Sequence, residues 1–282
     1  MKKILLIFIL FSALFSAQNQ RFLYEYKFVP DSTKKDEVKS EILVLDLNEK
    51  GSKFYSYEKY REDSISNVEI EKQMKAGSND ILIKNNYKGS IRYIIEKSYP
   101  DFKTAIYNSI GGDPYRVIDD RKMQWKILPE TETVATFKTQ KAVINMFGRK
   151  WTAWFTTDIP VQDGPYKFHG LPGLIVKIQD ISQSHFFELK GIRKDVVVTD
   201  TSNKSTEKPV EITQAQYKKL FWENRKDPAK ALRLMISQNP TFKVIKDGVE
   251  VSGEQMLRER EKTARESQKK FNNPLEIDLL KE

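Results

Sequence analysis

The side chains that could do chemistry are few, and most of them fall in one stretch: Asp158, Asp163, His169 and Asp180, with Ser184 and His185 just beyond. A carboxylate and an imidazole within hydrogen-bond reach make a general base and acid, so Asp158, Asp163 and His169 outline one candidate hydrolytic site, with Asp180 as a further carboxylate. The three aspartates could also offer hard oxygen ligands, but their spacing matches no calcium loop. His169 and His185 are the only histidines, and the chain has no cysteine. That excludes thiol catalysis, thiolate zinc sites and iron–sulfur clusters, and no HExxH helix is present. Ser184 and His185 are neighbours on an expected strand, where adjacent side chains point to opposite faces, so they are not a nucleophile and its base. There is no GxSxG elbow and no phosphate-binding glycine loop, and Gly111-Gly112-Asp113-Pro114 reads as a turn. The residues therefore assign no catalytic group, no metal and no cofactor, and a non-catalytic role stands ahead of the hydrolytic alternative.

Binding chemistry is easier to place. The segment 157–171 lies between two expected strands and is long for a hairpin connection, so it is either functional or a plug packed by its own side chains. In the first case Tyr166, Lys167, Phe168 and His169 face a groove and bind a ligand or partner, with Asp158, Asp163 and Lys167 at its rim. In the second, Trp151, Trp154 and Phe168 fill one end of the core, and Pro160, Gly164 and Pro165 only shape the crossing. Both remain open at this level. The run Gly170-Leu171-Pro172-Gly173-Leu174-Ile175 then reads as a type II turn over Leu171–Leu174, with Pro172 setting φ and Gly173 supplying a positive φ, before a strand through Ile175–Gln179.

That run, with Trp151, Trp154, Ile159, Pro160, Gly164, Pro165, Tyr166 and Phe168 ahead of it, resembles the GLPGLI family of secreted bacterial proteins. Gln140-Lys141-Ala142, Phe147-Gly148-Arg149 and the ending Asn273-Pro274-Leu275-Glu276 also resemble that family's recurring positions. Thr139 stands where many members carry a cysteine, so a disulfide role there would be lost. The resemblance implies an exported protein with no established biochemical activity.

The elements that must position this loop follow from periodicity. From Arg21 to about Val198 short alternating aromatic and β-branched runs, broken by turn residues, predict antiparallel strands. Phe22, Tyr24, Tyr26 and Phe28 alternate with Leu23, Glu25 and Lys27. Ile42–Leu47 turns at Asn48-Glu49-Lys50-Gly51 into Phe54, Tyr55 and Tyr57. Further strands are expected at Ile91–Ile95, Phe102–Tyr107, Met123–Ile127, Lys141–Phe147, Arg149–Thr156 and Phe186–Ile192. Residues 199–212 read as a polar linker. Beyond it the period becomes helical: Thr213 caps one helix, Asp227-Pro228 opens a second that ends at Asn239-Pro240, and Val249–Lys270 forms a third, densely charged one.

The expected organisation is thus a signal peptide at 1–17, an antiparallel β domain at 18–198, a linker at 199–212 and a helical extension at 213–282. The class is α+β: a mostly antiparallel, curved, half-barrel-like sheet followed by C-terminal helices, by analogy with periplasmic lipoprotein carriers. Met1-Lys2-Lys3, the apolar stretch Ile4–Phe15 and Ser16-Ala17 have the three parts of a secretory signal, too short to span a bilayer. The mature chain is expected in the periplasm or outside the cell, without a transmembrane segment. Its formal charge is +9, or +7 once Lys2 and Lys3 leave with the signal. The cations are interspersed with Glu and Asp, which disfavours nucleic acid as a partner. Expected partners are an apolar or peptide-like ligand, or an envelope protein; an accessory role on an outer-membrane transporter, through the charged tail, is a further alternative.

Overall fold

The computed structural model describes residues 19–77, 87, 89–194, 196, 208–246 and 249–281. The expected signal and the linker residues 199–207 lie outside them. The strands of the first half are β1 (Gln20–Phe28), β2 (Lys39–Asn48), β3 (Gly51–Ser56), β4 (Ile94–Ser98), β5 (Lys103–Ile110) and β6 (Asp113–Asp119), with helix α1 (Tyr57–Lys75) between β3 and β4. Then come β7 (Lys126–Val134), β8 (Phe137–Met146), β9 (Arg149–Thr156), β10 (Leu174–Asp180), β11 (His185–Lys194) and β12 (Val210–Thr213). The C-terminal part holds α2 (Gln214–Lys226), α3 (Lys230–Gln238), the hairpin β13 (Lys243–Lys246) and β14 (Val249–Ser252), α4 (Gly253–Lys270) and a single 3-10 turn (Ile277–Leu280).

Twelve strands form one open sheet in the order β12-β6-β5-β4-β3-β2-β1-β11-β10-β9-β8-β7. The pairings are antiparallel except β12 on β6, which is parallel. The class expected from the sequence, a large mostly antiparallel sheet with mainly C-terminal helices, is the one observed. Alternation decides which face is dry: Phe22, Tyr24, Tyr26 and Phe28 of β1 are all buried, each removing enough apolar surface to contribute about 1.5–3 kcal/mol. The sheet curls around this core. Lys97 on β4 and Trp151 on β9, six strands apart in the order, both touch the segment 157–173 that lies in the hollow between them.

Several local expectations change. Tyr57 starts α1 rather than ending a strand, and α1 buries none of its residues. A helix that is polar all round, held by pairs such as Arg61–Glu58, shows no apolar period from which to predict it. The end of the expected linker, 210–212, belongs with Thr213 to the edge strand β12 (Val210–Thr213), and Val249–Ser252 is a strand rather than the first turn of α4. Both short segments are fixed by main-chain pairing with a neighbour. The cap at Thr213 is as expected, a reciprocal capping box with Gln216, and Ser252 with Gln255 repeats it for α4. The turn in the Gly-Leu-Pro-Gly run is not type II. Gly170 has the positive φ, 89°, and Gly173 N donates to Leu171 O at 2.8 Å, closing a tighter turn around Pro172. Gly173 is needed for a different reason: a Cβ there would lie 2.0 Å from Thr156 O.

Candidate functional site

The segment between β9 and β10 divides into two parts. Asp163–Phe168 is entirely buried and plugs the hollow of the sheet. Its centre is a clamp on Lys97, whose Nζ donates to the Asp163 carboxylate, to Gly164 O at 2.9 Å and to Tyr166 O at 3.0 Å. Tyr99 OH donates to the other Asp163 oxygen at 2.6 Å and Gly164 N to the first at 2.6 Å. Neither Lys97 nor Asp163 has any exposed side chain. Burial lowers Lys97 from the usual lysine value, and Asp163 opposes it; an ammonium surrounded by a carboxylate and carbonyl oxygens keeps its proton. Tyr166 has φ 55°, a left-handed bend that brings successive plug carbonyls onto the same cation.

A second charged cluster holds the far side of the plug. Lys167 donates to Glu276 and, at 2.7 Å, to Asp119. Arg121 reaches Asp119 at 2.6 Å and Glu276 at 2.7 Å, and Tyr166 OH donates to Glu276 at 2.5 Å. Burial pushes both carboxyls up, but Arg121 and Lys167 outweigh it and hold Asp119 and Glu276 below the usual carboxylate range. Glu276 belongs to the Asn273-Pro274-Leu275-Glu276 ending, and Arg149 secures that ending by donating to Asn273 Oδ1 at 2.6 Å, Pro274 O at 2.7 Å and Leu275 O at 3.0 Å. Two segments singled out in the sequence, about 110 residues apart, are thus parts of one interior.

The candidate residues are distributed as follows. Tyr166, Lys167 and Phe168 are inside, with the Phe168 ring against Trp151 (centroids 4.9 Å), Phe147 (5.4 Å) and Tyr166 (6.2 Å). Trp151, Gly164, Pro165, Leu171, Leu174 and Ile175 are buried with them, Trp154 is half-buried under Lys141, and Pro160, Gly170 and Pro172 reach the surface. His169 is half-buried, its ring stacked on Phe102 at 4.7 Å and its Nδ1 2.8 Å from Lys167 O. Burial lowers its pKa, and Lys97 adds to the effect. A hydrolytic pair would need Asp163 or Asp158 on that imidazole; Asp163 is instead taken by Lys97 and Tyr99, and its only pairing with His169 is through the backbone. Asp180 is buried under Arg149 and the His185 amide. Among the described residues no three acidic or histidine side chains converge as metal ligands would. Sequence reasoning missed Lys97, Asp119 and Arg121, and marked Glu276 only as part of the C-terminal ending, because nothing local marks a surface-type charge that the fold encloses.

The other part of the segment, Asp158–Gln162, is open. It forms one wall of a cavity of about 720 Å³ at the end of the sheet, within the range of small-ligand sites. The rest of the lining is mostly apolar, from Phe22, Leu47, Phe102, Phe137 and Ile192, with Gln20, Asn48, Glu49, Tyr99 and Lys194 as its polar members. Tyr99 joins the two parts, lining the cavity while its hydroxyl holds Asp163.

Fold and site together define an α+β protein with an open antiparallel sheet, a buried plug and an apolar cavity beside it. Residues 117–177, from within β6 to within β10 and including the whole plug, are similar to a family described as "Protein of unknown function (Porph_ging)". Among solved structures, two crystal forms of PNGF-II are similar in fold, with TM-scores of 0.49 and identities of 16% and 17% over 74% of this chain. The chain spans about a third of the length of those proteins, 34%. Among curated proteins no match is found. No helix of the described residues is long and apolar enough to cross a membrane.

Proposed function

We propose that the protein is a non-catalytic binding module of the cell envelope, exported by its N-terminal signal, whose ligand sits in the cavity beside the plug. The observation that carries this reading is the cavity itself: a mostly apolar lining with a few charged and polar residues, and a volume of about 720 Å³. An apolar hollow left open to water at the end of an otherwise well-filled core stabilises nothing by itself and gains free energy when an apolar group enters. The recognition surface in this reading is Asp158–Gln162 and the strand ends it faces. Tyr166, Lys167 and Phe168 support that surface from inside.

The test is titration of the mature protein with the neutral apolar dye Nile red, comparing wild type with Ile192→Trp, a cavity-filling change at a residue 37% exposed. Saturable binding at one site, lost in a variant that unfolds at the wild-type temperature, is the expected result. Absence of binding, or equal binding by the variant, would overturn the reading.

A further inference from the structure

Strand β11 has an edge that the sheet does not use. β1 accompanies β11 from His185 to Lys194, whereas β10 pairs with it only through Lys177–Gln179 against Phe186–Glu188. Beyond that point β10 is drawn aside by the plug, since Ile175 N donates to Asp163 O at 3.0 Å and Ile175 O accepts from Tyr24 OH at 2.7 Å. From Lys190 to Lys194 the side of β11 facing away from β1 has neither a strand partner nor a backbone hydrogen bond to a loop, among the described residues. Main-chain donors and acceptors on such an edge are matched by any extended chain laid against them.

The edge and the cavity are continuous. Ile192 stands opposite Phe22 and Lys194 opposite Gln20 across the β1–β11 ladder, and all four line the cavity. Arg193 stands opposite Arg21 on the other face. Arg193 and Lys194 are exposed, and neither pairs with a carboxylate among the described residues.

Resting on the cavity reading above, we infer that the ligand is an extended acidic peptide segment that adds to β11 as a strand. Because strand side chains alternate, every second residue of the segment enters the cavity beside Phe22 and Ile192 and is apolar. The intervening residues lie on the face of Arg193 and carry carboxylates, and the main chain supplies the ladder along Lys190–Lys194. Charge complementarity with Arg193, and with Lys194 beside the cavity, neither of them ion-paired among the described residues, selects an acidic segment over a basic one.

The experiment uses the fluorescein-labelled peptide Ac-Val-Asp-Val-Asp-Val-Asp-NH2 and two backbone-methylated versions, one N-methylated at its valines and one at its aspartates, with anisotropy as the readout. Strand addition uses only alternate amides of the incoming chain, so one methylated peptide should bind at least tenfold more weakly than the parent while the other binds comparably. Arg193→Glu, on the face turned away from the cavity, should weaken the parent peptide at least threefold and leave Nile red binding unchanged. Failure of the parent peptide to bind, or equal binding by both methylated versions, would overturn strand addition. Nile red binding in that case would leave the cavity reading intact, and its absence would overturn both. Sedimentation is run in parallel: a wild-type dimer dispersed by Arg193→Glu/Lys194→Glu would assign the edge to a second copy and overturn the peptide inference.

Discussion

The two halves of the segment between β9 and β10 share a chain and a few ångströms of space, yet they obey opposite rules. In Asp163–Phe168 the Asp163 and Lys167 charges are paired and the Phe168 ring is enclosed; in Asp158–Gln162 apolar walls meet water and the rim charges of Asp158 and Lys194 have no ion-pair partner among the described residues. The difference teaches where selection for packing ends and where a binding surface can begin. A buried ion pair contributes little net stability over apolar residues of the same shape, but half of one is costly. A rim charge is solvated either way and is free to serve a partner.

The largest effect should come from breaking the clamp on one side only. Asp163→Ala leaves Lys97 buried against the carbonyls of Gly164, Tyr166 and Phe168 and is expected to cost about 3–5 kcal/mol in urea unfolding. Removing both charges, as in Lys97→Met/Asp163→Leu, should restore more than half of that loss; equal losses in the single and double variants would show that the plug needs the ions themselves. Glu276→Gln tests the second cluster in the same way. It leaves Lys167 with Asp119 as its only carboxylate partner, and a drop of about 1.5–3 kcal/mol in the same assay is expected, with a loss below about 1 kcal/mol sinking the idea that the C-terminal ending anchors the plug.

A smaller and graded effect is expected from acid. Burial, with Arg149 adding to it, pushes His185 down to about 3, below its unfolded value of about 6.5. The unfolded chain therefore takes up this proton first as pH falls. Stability is whole above about pH 6.5 and should decline by roughly 1.4 kcal/mol per pH unit below it, until the folded-state value is reached. His169, lowered in the same direction by its burial and by Lys97, adds to the slope. Asp119 and Glu276 act later: their contribution is present above their unfolded values of about 4 and is lost as pH falls below them. Chemical denaturation at a series of pH values should accordingly show His185→Gln flattening the curve between about pH 6.5 and 4, whereas Glu276→Gln flattens it only below that window. A His185→Gln curve as steep as wild type would remove His185 from this account.

The smallest effect belongs to the open half. Asp158→Asn should change unfolding free energy by no more than about 0.5 kcal/mol, the sharpest contrast available with Asp163→Ala five residues away. A large destabilisation there would mean that the rim is part of the plug after all.

Much of this architecture could be read locally. The alternation of Phe22, Tyr24, Tyr26 and Phe28, the reversal at Phe147-Gly148, and the cap at Thr213 are decided within a few residues, so their elements lie close to where periodicity put them. The candidate site was half legible. Glycine, proline and aromatic residues marked the segment, but they could not say which part of it faces inward, because the enclosing partners are Lys97 before it and Glu276 near the end of the chain. Helix α1 was invisible for a related reason: a helix that buries nothing writes no apolar period.

The sequence by itself determined the class of fold, the expectation of export, the exclusion of thiol chemistry and the position of the plug, since these rest on composition and short-range spacing. Only the tertiary structure decided that Lys97, Lys167 and Glu276 are interior charges, that Gly173 is required by the close approach of Thr156 rather than by a turn, and that β11, among the described residues, keeps an open edge beside a mostly apolar cavity. Burial and strand pairing join residues about 50 to 150 apart, and no local pattern records a distance of that kind.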